Sequence, residues 1–99
     1  MARLVINPGA PTAWEIQLRP GINLLGRGFA NDFKIEDPSV SGSHCQIVVE
    51  HGNVVIKDLG STNGTYINGR RIAYGESRQI NDGDVVGFGD VEVRLRKSE

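Results

Sequence analysis

The residues best suited to bind a ligand lie between positions 58 and 69, in a run rich in glycine, hydroxyl and amide side chains. Within this run, Ser61, Thr62 and Asn63 are bracketed by Gly60 and Gly64. Hydroxyl, amide and backbone N–H groups are the donors that hold an anionic or peptide ligand. The same side chains also bond to their own loop backbone in Asx and Ser/Thr turns. The stretch alone therefore leaves a binding role and a structural role open.

A second Asn-Gly pair, Asn68-Gly69, has a clearer structural role. Asn-Gly favours the positive φ angles of a two-residue hairpin turn, so the pair is predicted to join strands at residues 65–67 and 70–72. No comparably short hairpin fits the earlier pair, Asn63-Gly64. The earlier pair is therefore assigned to a loop.

Two other segments contain residues that could take part in a site. Arg27 lies between Gly26 and Gly28, where glycine lets the backbone approach a bound group closely. Its guanidinium is always charged and matches phosphate geometry. Residues 39–43 form a loop of small residues, and His44 follows them at the start of an apolar strand. Each segment is a weak signal by itself.

Composition limits the possible functions. A chain of 99 residues with a net charge of −1 forms one domain and lacks the basic surface expected of a nucleic-acid binder. It has no membrane-spanning apolar run and no signal-peptide pattern, so a cytoplasmic location is expected, or a nuclear one if the source is eukaryotic. The single cysteine, Cys45, excludes an intrachain disulfide and a cysteine-based zinc site. Neither a cofactor nor a metal ion is expected, and Cys45 is predicted to lie in the core.

The elements that must position these residues are short β-strands. Thirteen glycines, roughly double the usual share of about 7%, interrupt the chain too often for helices. Strands are predicted at residues 3–7, 14–18, 22–25, 33–35, 45–50, 54–57, 65–67, 70–72, 77–80, 84–89 and 91–96. Ten to eleven strands of this length predict an all-β sandwich or barrel, dominated by antiparallel pairing.

Three motifs occur in a specific order along this chain: Gly26-Arg27, Ser41-Gly42-Ser43-His44, and Thr62-Asn63-Gly64 followed by Asn68-Gly69. In order and spacing the chain resembles the forkhead-associated (FHA) domain family. The resemblance extends over essentially the whole sequence, as one domain at residues 1–99 with a core at about 3–96. It implies an eleven-stranded β-sandwich with its ligand-binding loops at one end.

The resemblance also implies a function, namely a module that binds phosphothreonine peptides and mediates phosphorylation-dependent protein–protein interaction. Such a module is expected to perform no catalysis and to be fused to other domains, and the composition predicts that it binds neither nucleic acid nor a membrane. By the same resemblance, Arg27, Ser41 and Thr62 contact the phosphate, and Asn63 holds the peptide backbone.

The remaining motif residues are implied to support the site or to differ from the family pattern. Gly26, His44 and Gly64 would shape the loops. Gly42 departs from the pattern, because many members have a basic or amide residue there and glycine offers only its backbone N–H. The cations considered as substitutes are Lys34, Arg70 and Arg71. Ser39, near the position where the family selects flanking residues, predicts no strong charge preference.

Two other functions are weighed against phosphothreonine binding. Gly42 makes an FHA-like domain that binds a partner without phosphate, for assembly or autoinhibition, a credible alternative. A hydrolase using Ser41, His44 and an aspartate is disfavoured, because the two residues are loop neighbours and no nucleophile elbow is present.

Overall fold

The computed structural model describes residues 1–98, which form eleven β-strands and no helix. In chain order the strands are β1 (Ala2–Ile6), β2 (Trp14–Gln17), β3 (Gly21–Gly26), β4 (Phe33–Lys34), β5 (Cys45–Glu50), β6 (Asn53–Asp58), β7 (Thr65–Ile67), β8 (Arg70–Arg71), β9 (Ser77–Ile80), β10 (Val85–Phe88) and β11 (Val91–Lys97). Every predicted strand is present, and no predicted end differs from the observed one by more than one residue. The described chain accordingly contains no helix capable of crossing a membrane.

The strands form two sheets. The six-stranded sheet has the order β2-β1-β11-β10-β7-β8, and the five-stranded sheet has the order β4-β3-β5-β6-β9. Neighbouring strands are antiparallel, with β3 and β4 as the parallel exception. The predicted sandwich dominated by antiparallel pairing is confirmed.

One hydrophobic core lies between the sheets. Alternate residues of β1 and β11 are buried, as expected for strands with one face toward a core. From the two inner faces, Ile47, Ile56 and Phe88 are all completely buried. Fully burying one such side chain contributes roughly 1.5–3 kcal/mol to the stability of the fold. Because the strands pack on this core, it holds in place the strand ends from which the loops emerge. Cys45 is also fully buried, as predicted.

Antiparallel pairing brings three loops to one end of the sandwich. Leu25, near the end of β3, pairs with Cys45 at the start of β5, and Cys45 pairs with Asp58 at the end of β6. The segments attached to these strand ends therefore emerge side by side. They are the β3–β4 loop (residues 27–32), the β4–β5 loop (residues 35–44) and the β6–β7 loop (residues 59–64).

The predicted hairpin at Asn68-Gly69 is confirmed. Both residues have positive φ, 50° and 84°, as a type I′ turn requires. The turn pairs Ile67 with Arg70 and so places β8 at the edge of the six-stranded sheet, beside the β6–β7 loop.

Candidate functional site

The β3–β4 and β4–β5 loops are joined by backbone hydrogen bonds at Arg27. The Arg27 N–H donates to the Ser41 carbonyl at 2.9 Å, and the Gly28 N–H donates to the Gly42 carbonyl at 3.1 Å. Arg27 itself is exposed, and its guanidinium makes no hydrogen bond or ion pair to any of residues 1–98. The Arg27 backbone therefore lies against Ser41, and its charged guanidinium has no hydrogen-bond or ion-pair partner among these residues.

Close packing around Gly26 holds this junction together. A Cβ atom at Gly26 would lie 2.4 Å from the Gly42 carbonyl oxygen, so no larger residue fits without moving the backbone. The Asn31 amide donates to the carbonyls of Gly28 and Gly42 at 2.8 and 2.6 Å. Sequence reasoning did not identify this role of Asn31, because its bond to Gly42 depends on two loops meeting in space.

The β4–β5 and β6–β7 loops are joined through Ser41. The Thr62 N–H donates to Ser41 Oγ at 2.9 Å, so the serine hydroxyl keeps its own proton for another acceptor. The Asn63 amide donates to the Ser39 carbonyl at 3.0 Å and leaves its oxygen free to accept. Thr62 and Asn63 are both exposed. The structure thus brings together four of the predicted binding residues, Arg27, Ser41, Thr62 and Asn63.

His44 links the loops from beneath, and its side chain is completely buried. Its Nδ1 accepts the Ser41 N–H at 3.1 Å, which places the imidazole proton on Nε2. Nε2 donates to the Gly64 carbonyl at 2.9 Å. Burial lowers the pKa of His44, partly opposed by the Gly64 carbonyl and the charge of Asp58, so the ring is neutral. Its contacts are those of a brace between two loops.

Asp58 organises the start of the β6–β7 loop. Its carboxylate accepts the backbone N–H groups of Gly60 and Ser61 and the hydroxyls of Ser61 and Thr65. Burial raises the pKa of Asp58, but these four hydrogen bonds outweigh burial and lower it overall. Sequence reasoning did not give Asp58 this role. The signal available in the sequence was the position of the Asp58 carboxylate, two and three residues before the N–H groups of Gly60 and Ser61 in a glycine-containing turn.

Gly64 ends the β6–β7 loop against side chains from the β7–β8 hairpin. Its φ is 96°, and a Cβ there would lie 2.8 Å from Arg71 Nε and 3.0 Å from the Tyr66 ring. Tyr66 donates its hydroxyl to the Asn63 carbonyl at 3.1 Å. Arg71 donates from Nη2 to the Thr62 carbonyl at 3.4 Å. The β7–β8 hairpin therefore supports the β6–β7 loop, which carries the exposed residues Thr62 and Asn63.

Gly42 is exposed at the rim of the site. It does not have a positive φ, and apart from Ser41 and Ser43, its neighbours in the chain, no residue has an atom within 4 Å of the position that a Cβ would occupy. Lys34 is directed elsewhere, since it pairs with Glu36 at 2.8 Å and lies 4.0 Å from the centre of the Phe29 ring. Arg70 makes no hydrogen bond or ion pair through its side chain within residues 1–98. Among the three candidate cations, Arg71 is thus the one bonded to a predicted phosphate-binding residue, Thr62.

The hydroxyl of Ser39 makes two hydrogen bonds within the protein. It donates to Asp37 Oδ1 at 2.7 Å and accepts the Asp90 N–H at 2.8 Å. The hydrogen bonds from the Ser39 hydroxyl and N–H lower the pKa of Asp37. Ser39 therefore shapes the β4–β5 loop through its side chain.

Comparisons with known proteins identify the family. The family described as FHA domain matches residues 23–89. The FHA domain-containing protein FhaA of Mycobacterium tuberculosis is 38% identical over 80 residues, a match covering 81% of this chain and 15% of the relative. The Arabidopsis thaliana protein At4g14490, also FHA domain-containing, is 35% identical over 92 residues, covering 89% of this chain and 23% of the relative. The chain is similar to one segment of each longer protein.

Solved structures support the same family assignment. The FhaA FHA domain complexed with the intracellular domain of Rv3910 has a TM-score of 0.86 and 33% identity, covering 97% of this chain and 100% of that one. A domain from a study of phosphothreonine-dependent FHA domain interactions has a TM-score of 0.88 and 33% identity. The match covers 99% of this chain and 97% of that one. The chain therefore belongs to the forkhead-associated (FHA) domain family.

Proposed function

We propose that residues 1–99 form a single FHA domain, with a core at about 3–96, whose loop end binds phosphothreonine in a peptide or protein segment. Glu99 lies outside the described residues. The FhaA domain complexed with an intracellular protein domain, and the domain studied for phosphothreonine-dependent interactions, support this function. Because the chain spans 15% and 23% of two longer relatives, we propose that it acts as one module fused to others.

The observation that carries the proposal is the double link at Ser41. Its carbonyl accepts the Arg27 N–H and its hydroxyl accepts the Thr62 N–H, so three distant segments of sequence meet at one residue. In this proposal the Arg27 guanidinium, the hydroxyl protons of Ser41 and Thr62, and the Gly42 N–H would bind the phosphate together. These groups are donors, which suits an anion.

A phosphothreonine carries about −1.5 to −2 charges at neutral pH and three strong acceptor oxygens. Hydrogen bonds to a charged group contribute roughly 1.5–3 kcal/mol each. Two or three of them supply a large part of the roughly −8 kcal/mol that a micromolar complex requires. An unphosphorylated threonine offers none of them, so binding would follow the action of a kinase and a phosphatase.

The other predicted residues have supporting roles in this proposal. Asn63 would accept a ligand backbone N–H with its free amide oxygen, since its NH₂ group is held by the Ser39 carbonyl. Gly26 and Gly64 leave the space that the loops need, and His44 holds the loops at the right separation.

We propose that the domain is an interaction module and not an enzyme. His44 bonds through Nδ1 to the Ser41 backbone, and its Nε2 bonds to the Gly64 carbonyl. Both ring nitrogens are therefore engaged by backbone groups, and neither is available as a base for the serine hydroxyl. The single buried Cys45 also fits the cytoplasmic or nuclear location that we propose.

The test is calorimetry on matched peptides that differ by one phosphate, after an oriented phosphopeptide library has defined the flanking sequence. We expect binding of the phosphothreonine form at roughly micromolar affinity and little binding of the threonine form. Equal affinity for both peptides would favour the alternative function, in which the domain binds its partner independently of phosphate. Gly42 motivates this alternative because it offers no side chain to a phosphate.

A further inference from the structure

A cleft lies beside the proposed phosphothreonine site, between the β6–β7 loop and the segment that connects β8 to β9. It has a volume of about 520 Å³, and its lining includes Gly60, Ser61, Arg71 and Tyr74. The Tyr74 ring lies 3.3 Å from where a Cβ would stand at Gly60, and Tyr74 is 79% exposed. The cleft thus has a flat aromatic wall that is open to solvent.

Arg71 supplies the positive charge of this cleft. It is exposed and forms no ion pair within residues 1–98. One of its five N–H donors makes the 3.4 Å contact with the Thr62 carbonyl, which leaves four for a ligand. The same Thr62 donates its N–H to Ser41 Oγ, so Arg71 contacts a residue that is proposed to bind the phosphate.

The carboxylates that line the cleft are already bound to other groups. Asp58 accepts hydrogen bonds from Gly60, Ser61 and Thr65, and it is only 4% exposed. Glu76 accepts the Ala73 N–H and pairs with Arg78. Neither carboxylate pairs with Arg71, so its charge remains available for a ligand.

Arg70 provides a built-in comparison. Neighbouring residues of a strand point to opposite faces of the sheet. Arg71 is opposite Tyr66 in the β7–β8 ladder, and both side chains reach the β6–β7 loop. Arg70 follows the hairpin turn directly, and its side chain forms no hydrogen bond or ion pair with that loop. Two adjacent arginines therefore differ in access to the site.

We propose that Arg71 binds a second negative charge of the ligand, close in sequence to the phosphothreonine, and thereby selects which phosphorylated partners the domain accepts. The proposal rests on the proposed function of the same site. The recognised chemistry is an anionic side chain, which an aspartate, a glutamate or a second phosphorylated residue supplies. The bare Gly42 position adds to the importance of this charge, because the β4–β5 loop brings no cation there.

The test uses a phosphothreonine peptide with alanine at its other positions and a set in which one glutamate occupies each position in turn. We expect glutamate at one or two positions to tighten binding to the natural domain about two- to fivefold, as expected for a partly exposed ion pair. Arg71→Gln keeps a donor for the Thr62 carbonyl but loses the charge, and it should abolish this gain. Arg70→Gln removes the same charge from the neighbouring position and should preserve the gain.

The outcomes separate the proposal from the function on which it rests. A gain that survives in Arg71→Gln, an equal loss in Arg70→Gln, or no preference for any glutamate in the natural domain would overturn the role of Arg71. Each of these leaves phosphothreonine binding intact. Equal binding of the phosphorylated and unphosphorylated alanine peptides would instead overturn the proposed function. At a favoured position, exchanging glutamate for phosphothreonine then shows whether a carboxylate suffices or a second phosphate binds more tightly.

Discussion

At the scale of single residues, the groups that join the loops are also those offered to a ligand. Ser41 accepts the Thr62 N–H and retains its own proton, while Asn63 donates to the Ser39 carbonyl and retains its oxygen. Each internal bond thus fixes a side chain or backbone position without using all of its hydrogen-bonding capacity. Such preorganisation reduces the entropy lost on binding.

Arg27→Ala tests the largest proposed contribution to phosphate binding. Loss of the charge-assisted hydrogen bonds should weaken phosphopeptide binding roughly tenfold to a hundredfold. The melting temperature should remain nearly unchanged, since the guanidinium makes no bond or ion pair to residues 1–98. Calorimetry and thermal unfolding measure the two effects.

Arg70→Ala is the matched control, because it removes an equal charge from an exposed residue outside the three loops. It should leave phosphopeptide affinity within about twofold of the natural value, in the range of weak surface electrostatics. Retained affinity in Arg27→Ala, or an equal loss in Arg70→Ala, would contradict the assignment of Arg27 to the phosphate.

Gly42→Arg should restore a cation that the β4–β5 loop lacks. The residue has no positive φ and open space at its Cβ position, so a side chain fits. A new exposed charge pair should tighten phosphopeptide binding about two- to fivefold. Gly42→Ala is the control, with unchanged affinity and unchanged melting temperature. If the arginine variant binds no better while the alanine variant is folded, position 42 does not face the phosphate.

At the scale of elements, the site depends on how each loop is fixed to its strands. Asp58 is the last residue of β6, and Thr65 is the first residue of β7. Their hydrogen bond at 2.7 Å closes the base of the β6–β7 loop, while Asp58 also holds the N–H groups of Gly60 and Ser61. The position of Thr62 therefore depends on a buried carboxylate at the base of its loop.

Asp58→Asn should damage both stability and binding. The amide NH₂ would replace an acceptor, leaving one or two buried donors without partners at about 1–3 kcal/mol each. We expect a loss of roughly 2–4 kcal/mol in the free energy of urea unfolding, with weaker phosphopeptide binding. Glu50→Gln, an equal change of charge on an exposed residue of β5, should alter neither. Natural stability in Asp58→Asn would show that the network does not hold the loop.

The sequence predicts most of the elements and only part of what positions the site. Asn68-Gly69 predicted its hairpin because the required φ angles are a local property. Arg27, Ser41, Thr62 and Asn63 were recognised through a family resemblance. The role of Asn31 and the reach of Arg71 were not predicted, because both depend on contacts between segments that are distant in sequence.

At the scale of the whole molecule, His44 connects the core to the binding end. Its ring lies 5.6 Å from that of Phe88 in the opposite sheet, while its two nitrogens bond to the β4–β5 and β6–β7 loops. A protonated imidazole has no acceptor nitrogen, so it cannot accept the Ser41 N–H. Protonation of one buried ring would therefore disturb core and loops together.

Stability should fall on acidification in two stages. Burial lowers the pKa of His44 from 6.5, so His44 binds a proton more readily in the unfolded chain than in the folded one. Stability is therefore lost as the pH falls from 6.5 to the lowered pKa of the folded state. Asp58, whose pKa is lowered from 3.8, contributes stability above that pH that is lost as pH falls through its lowered pKa. Urea unfolding measured from neutral to acidic pH should therefore show maximal stability near neutrality.

The first stage can be assigned to His44 by comparing the two histidines. His51 lies in an exposed hairpin turn with a φ of 52°, a conformation that asparagine tolerates, so His51→Asn should fold normally. In this variant, nuclear magnetic resonance of the remaining imidazole should show the neutral form protonated at Nε2 and a pKa below 6.5. The loss of stability just below pH 6.5 should persist, because His44 is unchanged. If that loss disappears with His51, or if the His44 ring titrates above 6.5, the buried histidine does not couple the core to the loops.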